Sequence, residues 1–133
     1  MKIAARLSNT PCSHSVEVET KGRKQSIAIA PKSVGRGSSV NGGELLFAAL
    51  ARCFCNDLFR EAAKRGIEVH EVEVDLSGTF GSPGEPAHDI GYRVRVDAGS
   101  PQATIVDLIR ATDSMTEIQN TLCTGCAVRL QEA

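Results

Sequence analysis

ELLFAALARCFCND, residues 44–57, has no polar side chain from Leu45 to Ala51 and then sets Cys53, Asn56 and Asp57 just beyond that run. A surface helix shows a single apolar stripe, so a segment apolar on every side for two turns needs cover around its whole girth. Wound as a helix, Cys53 shares a stripe with Leu46, Ala49 and Leu50 before it and with Asn56, Asp57 and Arg60 after it. The stripe turns from apolar to polar at the thiol. A cysteine at such a boundary is sheltered yet reachable, a setting in which a lowered pKa and substrate access coexist. A small core residue is the plainer reading of the same position. Cys55, two places on, points to nearly the opposite side, cannot bridge to Cys53 within a regular helix, and reads as core.

Working outward, Asn41 followed three positions later by Glu44 has the form of a capping box, which predicts the helix start. Gly66 after Lys64 and Arg65 predicts its end. Upstream, VGRGSSVNGG (34–43) is a loop, and KIAARL, HSVEVET and KQSIAIAP, divided by TPCS and KGR, form an antiparallel meander. Downstream, EVHEVEVDLSGTF and IGYRVRVDA each alternate apolar with charged residues around the turn-rich GSPGEPAHD, which predicts a β-hairpin. SPQATIVDLIRATD, with Ile105, Leu108 and Ile109 at helical spacing, predicts a second helix, TEIQNTL a further helical piece, and CAVRLQ a closing strand. The class is α+β, with no internal repeat.

The 133 residues suit one domain, and 41% apolar content is enough for a core. Fifteen basic residues stand against sixteen acidic, and aromatics make up 4%, so the charge and stacking surfaces of a nucleic-acid binder are missing. The apolar runs are far shorter than the roughly 20 residues of a membrane span, and MKIAARLSNTP lacks the apolar stretch of a signal peptide. A cytoplasmic protein with no membrane partner is expected. Five cysteines, Cys12, Cys53, Cys55, Cys123 and Cys126, cannot all pair and in a reducing compartment stay thiols.

Cys123 and Cys126 form CTGC, a spacing shared by redox pairs and zinc sites. A thioredoxin-type motif opens a helix early in the fold, whereas CTGC stands before the last predicted strand. Zinc held by Cys53, Cys55, Cys123 and Cys126, with His14 or Cys12 in reserve, is a rival reading. It requires the helix to break at ARCFCNDL, where nothing breaks it. No metal and no cofactor are expected; His70 and His88 read as exposed.

The pattern NGGELLFAALARCFCNDLFREAAKRG, then EVEVDLSGTF, then a late Cys followed by Ala-Val, resembles the OsmC/Ohr family of thiol-dependent peroxidases from about Gly42 onward. The resemblance implies a single OsmC-like domain over 1–133 in an intertwined homodimer, with a long buried central helix enclosed by strands of both subunits. It implies that Cys53 is oxidised by an organic hydroperoxide, or by hydrogen peroxide, in oxidative-stress defence. Cys126 is implied as the resolving cysteine, whether Cys123 competes with it being left open, and a dithiol such as dihydrolipoamide is implied as reductant. The family's thiolate-stabilising arginine matches Arg23 in Gly22-Arg23, or else Arg36. A guanidinium there would make the thiolate dominant at neutral pH. Asp57 then orients an arginine or bonds to backbone across the interface, a merely solvated carboxylate being the plainer alternative. Two departures stand out. Gly43 occupies the place of the family's arginine-pairing glutamate, with Glu44 one position off, and Ala127 replaces a proline. They keep open a non-catalytic member that binds an apolar ligand.

Overall fold

The Asn41 N–H donates to Glu44 Oε2 at 2.7 Å and the Glu44 N–H donates to Asn41 Oδ1 at 2.9 Å, so a reciprocal capping box starts helix α1 (Gly42–Lys64) in the computed structural model. At the other end Gly66 takes φ +65°, the Ile67 N–H donates to Ala62 O and the Gly66 N–H to Ala63 O, a Schellman turn. Ile67 then packs against the core that includes Ala62. The structure describes residues 1–131.

Strands β1 (Ile3–Asn9), β2 (His14–Thr20) and β3 (Arg23–Ser26) form the antiparallel meander, in the order β1-β2-β3. Lys21 and Gly22, at φ 51° and 78°, make the tight turn that joins β2 to β3 with Thr20 opposite Arg23. The predicted third strand stops at Ser26 rather than running to Pro31, where an isolated bridge to Ser38 takes over. This unit, Met1–Leu45, leaves Ile3 and Leu7 about 60% exposed, at 62% and 61%.

The second unit, Leu46–Ala133 by its contacts, holds the core. Strands β4 (Val69–Thr79) and β5 (His88–Ala98) pair with Val72 opposite Val96, Val74 opposite Val94 and Leu76 opposite Tyr92. The period of two puts these on one face, while Glu73 and Arg95 form an ion pair on the other. Phe54, Leu58 and Ala62 of α1, together with Leu108 of α2 (Gln102–Asp113), close the core against the apolar face. Near its start, α1 lies so close to the hairpin that a Cβ on Gly78 would come within 2.7 Å of the Phe47 ring.

Helix α3 (Glu117–Thr124) follows a short turn. Two expectations need correction. Residues 125–131 carry no strand, so CAVRLQ does not close a sheet: it is wholly exposed and has no strand partner among the described residues. Nor is α1 buried all round within one chain. Leu50, Phe54, Leu58 and Ala62 are buried, but Leu45 is 40% and Phe59 50% exposed, because one two-stranded sheet covers only one side of a helix. No described helix is long and apolar enough to cross a membrane.

Candidate active site

Cys53 lies near the middle of α1, half-buried, one residue before the fully packed Phe54. Its thiol lies 3.7 Å from Asp57 Oδ2, one turn on, and 3.8 Å from Glu117 Oε2 in the first turn of α3. Burial pushes the Cys53 pKa up, the Ile118 backbone amide opposes this, and the Asp57 and Glu117 charges raise it further. The thiol is therefore held protonated by its neighbours in this unit.

Asp57 is itself buried, and burial together with the Glu117 charge pushes its carboxyl up, against the pull of Arg60. Arg60 Nη1 meets Asp57 Oδ1 at 2.9 Å, so Asp57 orients an arginine from its own helix face. Glu117 is held below the usual carboxylate range, first by its own backbone amide at the start of α3, where free N–H groups favour an anion. A half-buried thiol between two carboxylates, one with a raised pKa, can pass a proton over a short distance.

The same unit holds an apolar pocket of about 260 Å³. Leu50 and Phe54 of α1, Leu76 and Tyr92 of the hairpin, and Leu122 and Cys123 of α3 line it. The Phe54 and Tyr92 rings lie 5.4 Å apart at a tilt. The Tyr92 hydroxyl donates to Asp113, and the Gln119 amide N–H donates to the same carboxylate at 2.8 Å, which ties α3 to α2 and β5. Burial and the Asp113 carboxylate push the Tyr92 pKa strongly upward, so its hydroxyl stays a donor.

Of the residues singled out in the sequence, Cys53 and Asp57 meet, and Cys123 joins the pocket wall. Cys126 falls just beyond α3 in the exposed irregular stretch. Glu44 is engaged in capping α1. Arg23 opens β3, and the Arg36 guanidinium donates to the Asn9 side chain and carbonyl, both at 3.1 Å, within the amino-terminal unit. His14 bonds Asn9 in the same unit. Among the described residues the donors that come together are Cys53, Asp57 and Glu117, within 4.8 Å of one another, a different set from the four thiolates of the zinc reading. Asp57 already holds Arg60 there.

Glu117 and the Tyr92–Asp113–Gln119 group were not legible. A first-turn glutamate in TEIQNTL signals a helix start, and no local pattern tells that it faces a sulfur 64 residues away.

The family model described as OsmC-like protein matches residues 35–131. Among solved structures, an OsmC-like protein of Mycoplasma pneumoniae superposes with a TM-score of 0.64 at 17% identity, over 92% of this chain and 86% of that one. An organic hydroperoxide resistance protein OsmC of Legionella pneumophila gives 0.58 at 19% identity, over 92% and 89%. An OsmC-like protein of unknown function from Vibrio cholerae gives 0.57 at 16%, over 90% and 91%. At these identities the likeness carries the fold. No curated protein matches the sequence.

Proposed function

The chain belongs to the OsmC-like family, and from that premise we propose that it is a thiol-dependent peroxidase that reduces organic hydroperoxides, with Cys53 as the oxidised residue and Cys126 as the resolving one. The observation that carries this reading is the position of Cys53. Its sulfur is half-buried, while Leu50 and Phe54 on the same helix border an apolar pocket that suits a hydroperoxide's hydrocarbon tail. That the Legionella relative is an organic hydroperoxide resistance protein supports it.

In the cycle, the Cys53 thiol yields its proton, with the Asp57 carboxylate at 3.7 Å as an acceptor, and the thiolate attacks the distal peroxide oxygen. The O–O bond breaks, an alcohol leaves, and Cys53 becomes a sulfenic acid. The Cys126 thiol displaces water to form a disulfide, which an external dithiol such as dihydrolipoamide reduces. Because the carboxylates and burial favour the protonated thiol, the reading needs a cation, assigned to Arg23 or Arg36 of the amino-terminal unit. A homodimer supplies cover for the exposed Leu45 and Phe59 of α1. The cycle starts from and returns to free thiols, which suits a reducing cytoplasm.

The test is turnover of cumene hydroperoxide with a dithiol. Cys53→Ser abolishes turnover, and after one equivalent of peroxide without dithiol Cys126→Ser gains one oxygen in intact mass where the wild type loses two hydrogens. Equal turnover in wild type and Cys53→Ser rejects the mechanism. A second reading has its own support. The raised Cys53 pKa, with Gly43 and Ala127 at positions where the resemblance implies Glu and Pro, favours a weakly reactive member whose pocket holds an apolar ligand. It predicts tight fatty-acid binding together with near-background peroxide turnover.

A further inference from the structure

We propose that Cys123 completes a thiol relay, attacking Cys126 in the Cys53–Cys126 disulfide so that the oxidising equivalents leave from a Cys123–Cys126 disulfide at the exposed end of α3. The inference rests on the peroxidase reading and deepens it.

Three features support it. CTGC straddles the end of α3: Cys123 lies in its last turn, and Cys126 follows the cap residue Gly125, whose φ of 69° turns the chain out of the helix. Two intervening residues are the spacing of redox dithiols. Cys123 also lies on the pocket wall with Leu50 and Phe54, which precede and follow Cys53 on α1 by three residues and one, while Glu117 of the same helix α3 comes within 3.8 Å of the Cys53 sulfur. Finally, Cys123 and Cys126 are exposed and Cys53 is half-buried, so a dithiol reductant reaches the pair at α3 more readily.

The exchange also has a downhill sense. A Cys53–Cys126 bond pins the exposed stretch 125–131 to the middle of α1, at a cost in chain entropy, whereas a Cys123–Cys126 bond closes only a local turn.

The steps balance. The Cys123 thiol gives its proton to solvent and its sulfur bonds Cys126 Sγ. The Cys53–Cys126 bond breaks with its electron pair on Cys53, which takes up a proton. The protein's oxidation level is unchanged. An external dithiol then supplies two electrons and two protons, leaving as a disulfide and restoring both thiols. The sum is hydroperoxide plus dithiol giving alcohol, water and disulfide.

The test adds one equivalent of cumene hydroperoxide to full-length wild type, Cys123→Ser and Cys55→Ser, traps free thiols by alkylation and maps the disulfides. In wild type and Cys55→Ser the pair lies within one tryptic peptide, Ala111–Arg129. In Cys123→Ser it joins Cys53 to Cys126, and re-reduction by dithiothreitol slows about tenfold or more. A wild-type disulfide that stays on Cys53, or an unslowed Cys123→Ser, overturns the relay alone. No oxidation of Cys53 in any variant removes the peroxidase reading and the relay with it.

Discussion

The two helices that flank the Cys53 sulfur are held differently. Helix α1 has a reciprocal cap at one end, a Schellman turn at the other, and Leu58 at 0% exposure in between. Helix α3 is eight residues long, has no side-chain cap bond at its start and buries none of its residues fully. It is tied down by Gln119, through Asp113 and Tyr92. Core packing thus fixes where the sulfur sits, while a helix held by polar contacts sets its electrostatic surroundings. Position and reactivity are separable, and substitutions on the two helices should separate them.

The largest contrast is between Leu58→Ala and Leu122→Ala. The first empties a fully buried site and costs about 2–5 kcal/mol, the second trims a 43% exposed side chain on α3 and stays within about 1 kcal/mol. Denaturant midpoints measure both, and equal losses would remove the distinction. Next comes Gly78→Ala, whose Cβ meets the Phe47 ring at 2.7 Å and Ile90 at 3.0 Å, for an overpacking cost of about 1–3 kcal/mol read as a fall in Tm. An unchanged Tm would show that α1 shifts on the hairpin more freely than its packing implies.

Glu117→Gln tests the electrostatic half. It removes a negative charge 3.8 Å from the sulfur, so the Cys53 pKa falls and iodoacetamide alkylation of Cys53 at mildly alkaline pH speeds up several-fold. Unaltered or slower alkylation contradicts the role given to α3. The smallest effect concerns Asp57. Its folded pKa lies above the ordinary 3.8, so the folded state holds that proton more tightly than the unfolded chain does. The stability this contributes is fully present below 3.8 and is lost as pH rises through the raised folded value. Thermal melts across that window should show the wild type losing ground relative to Asp57→Asn. A constant difference between the two refutes the sign.

Much of this molecule is legible locally. Asn41 with Glu44 and Gly66 after two basic residues bound α1, because caps are satisfied by groups within four or five residues. The alternation of Val72, Val74 and Leu76 identifies the inward face of the hairpin, because strand periodicity is a backbone property. CAVRLQ reads as a strand by composition, yet a strand exists only where an edge pairs with it, and none of the described strands does. Cys53 is legible in the change of its helix stripe, but the Glu117 carboxylate near its sulfur is not, since it comes from α3, 64 residues further along the chain.

By itself, then, the sequence determined the element order, the ends of α1 and the singular place of Cys53 on that helix, since each depends on near neighbours along the chain. Only the tertiary structure decided that Glu117 faces the sulfur and that Cys123 opens onto the Phe54 pocket. The electrostatic and apolar surroundings of a side chain are set by residues far away in sequence, and they come together only when the Gln119–Asp113–Tyr92 contacts hold α3 beside α1.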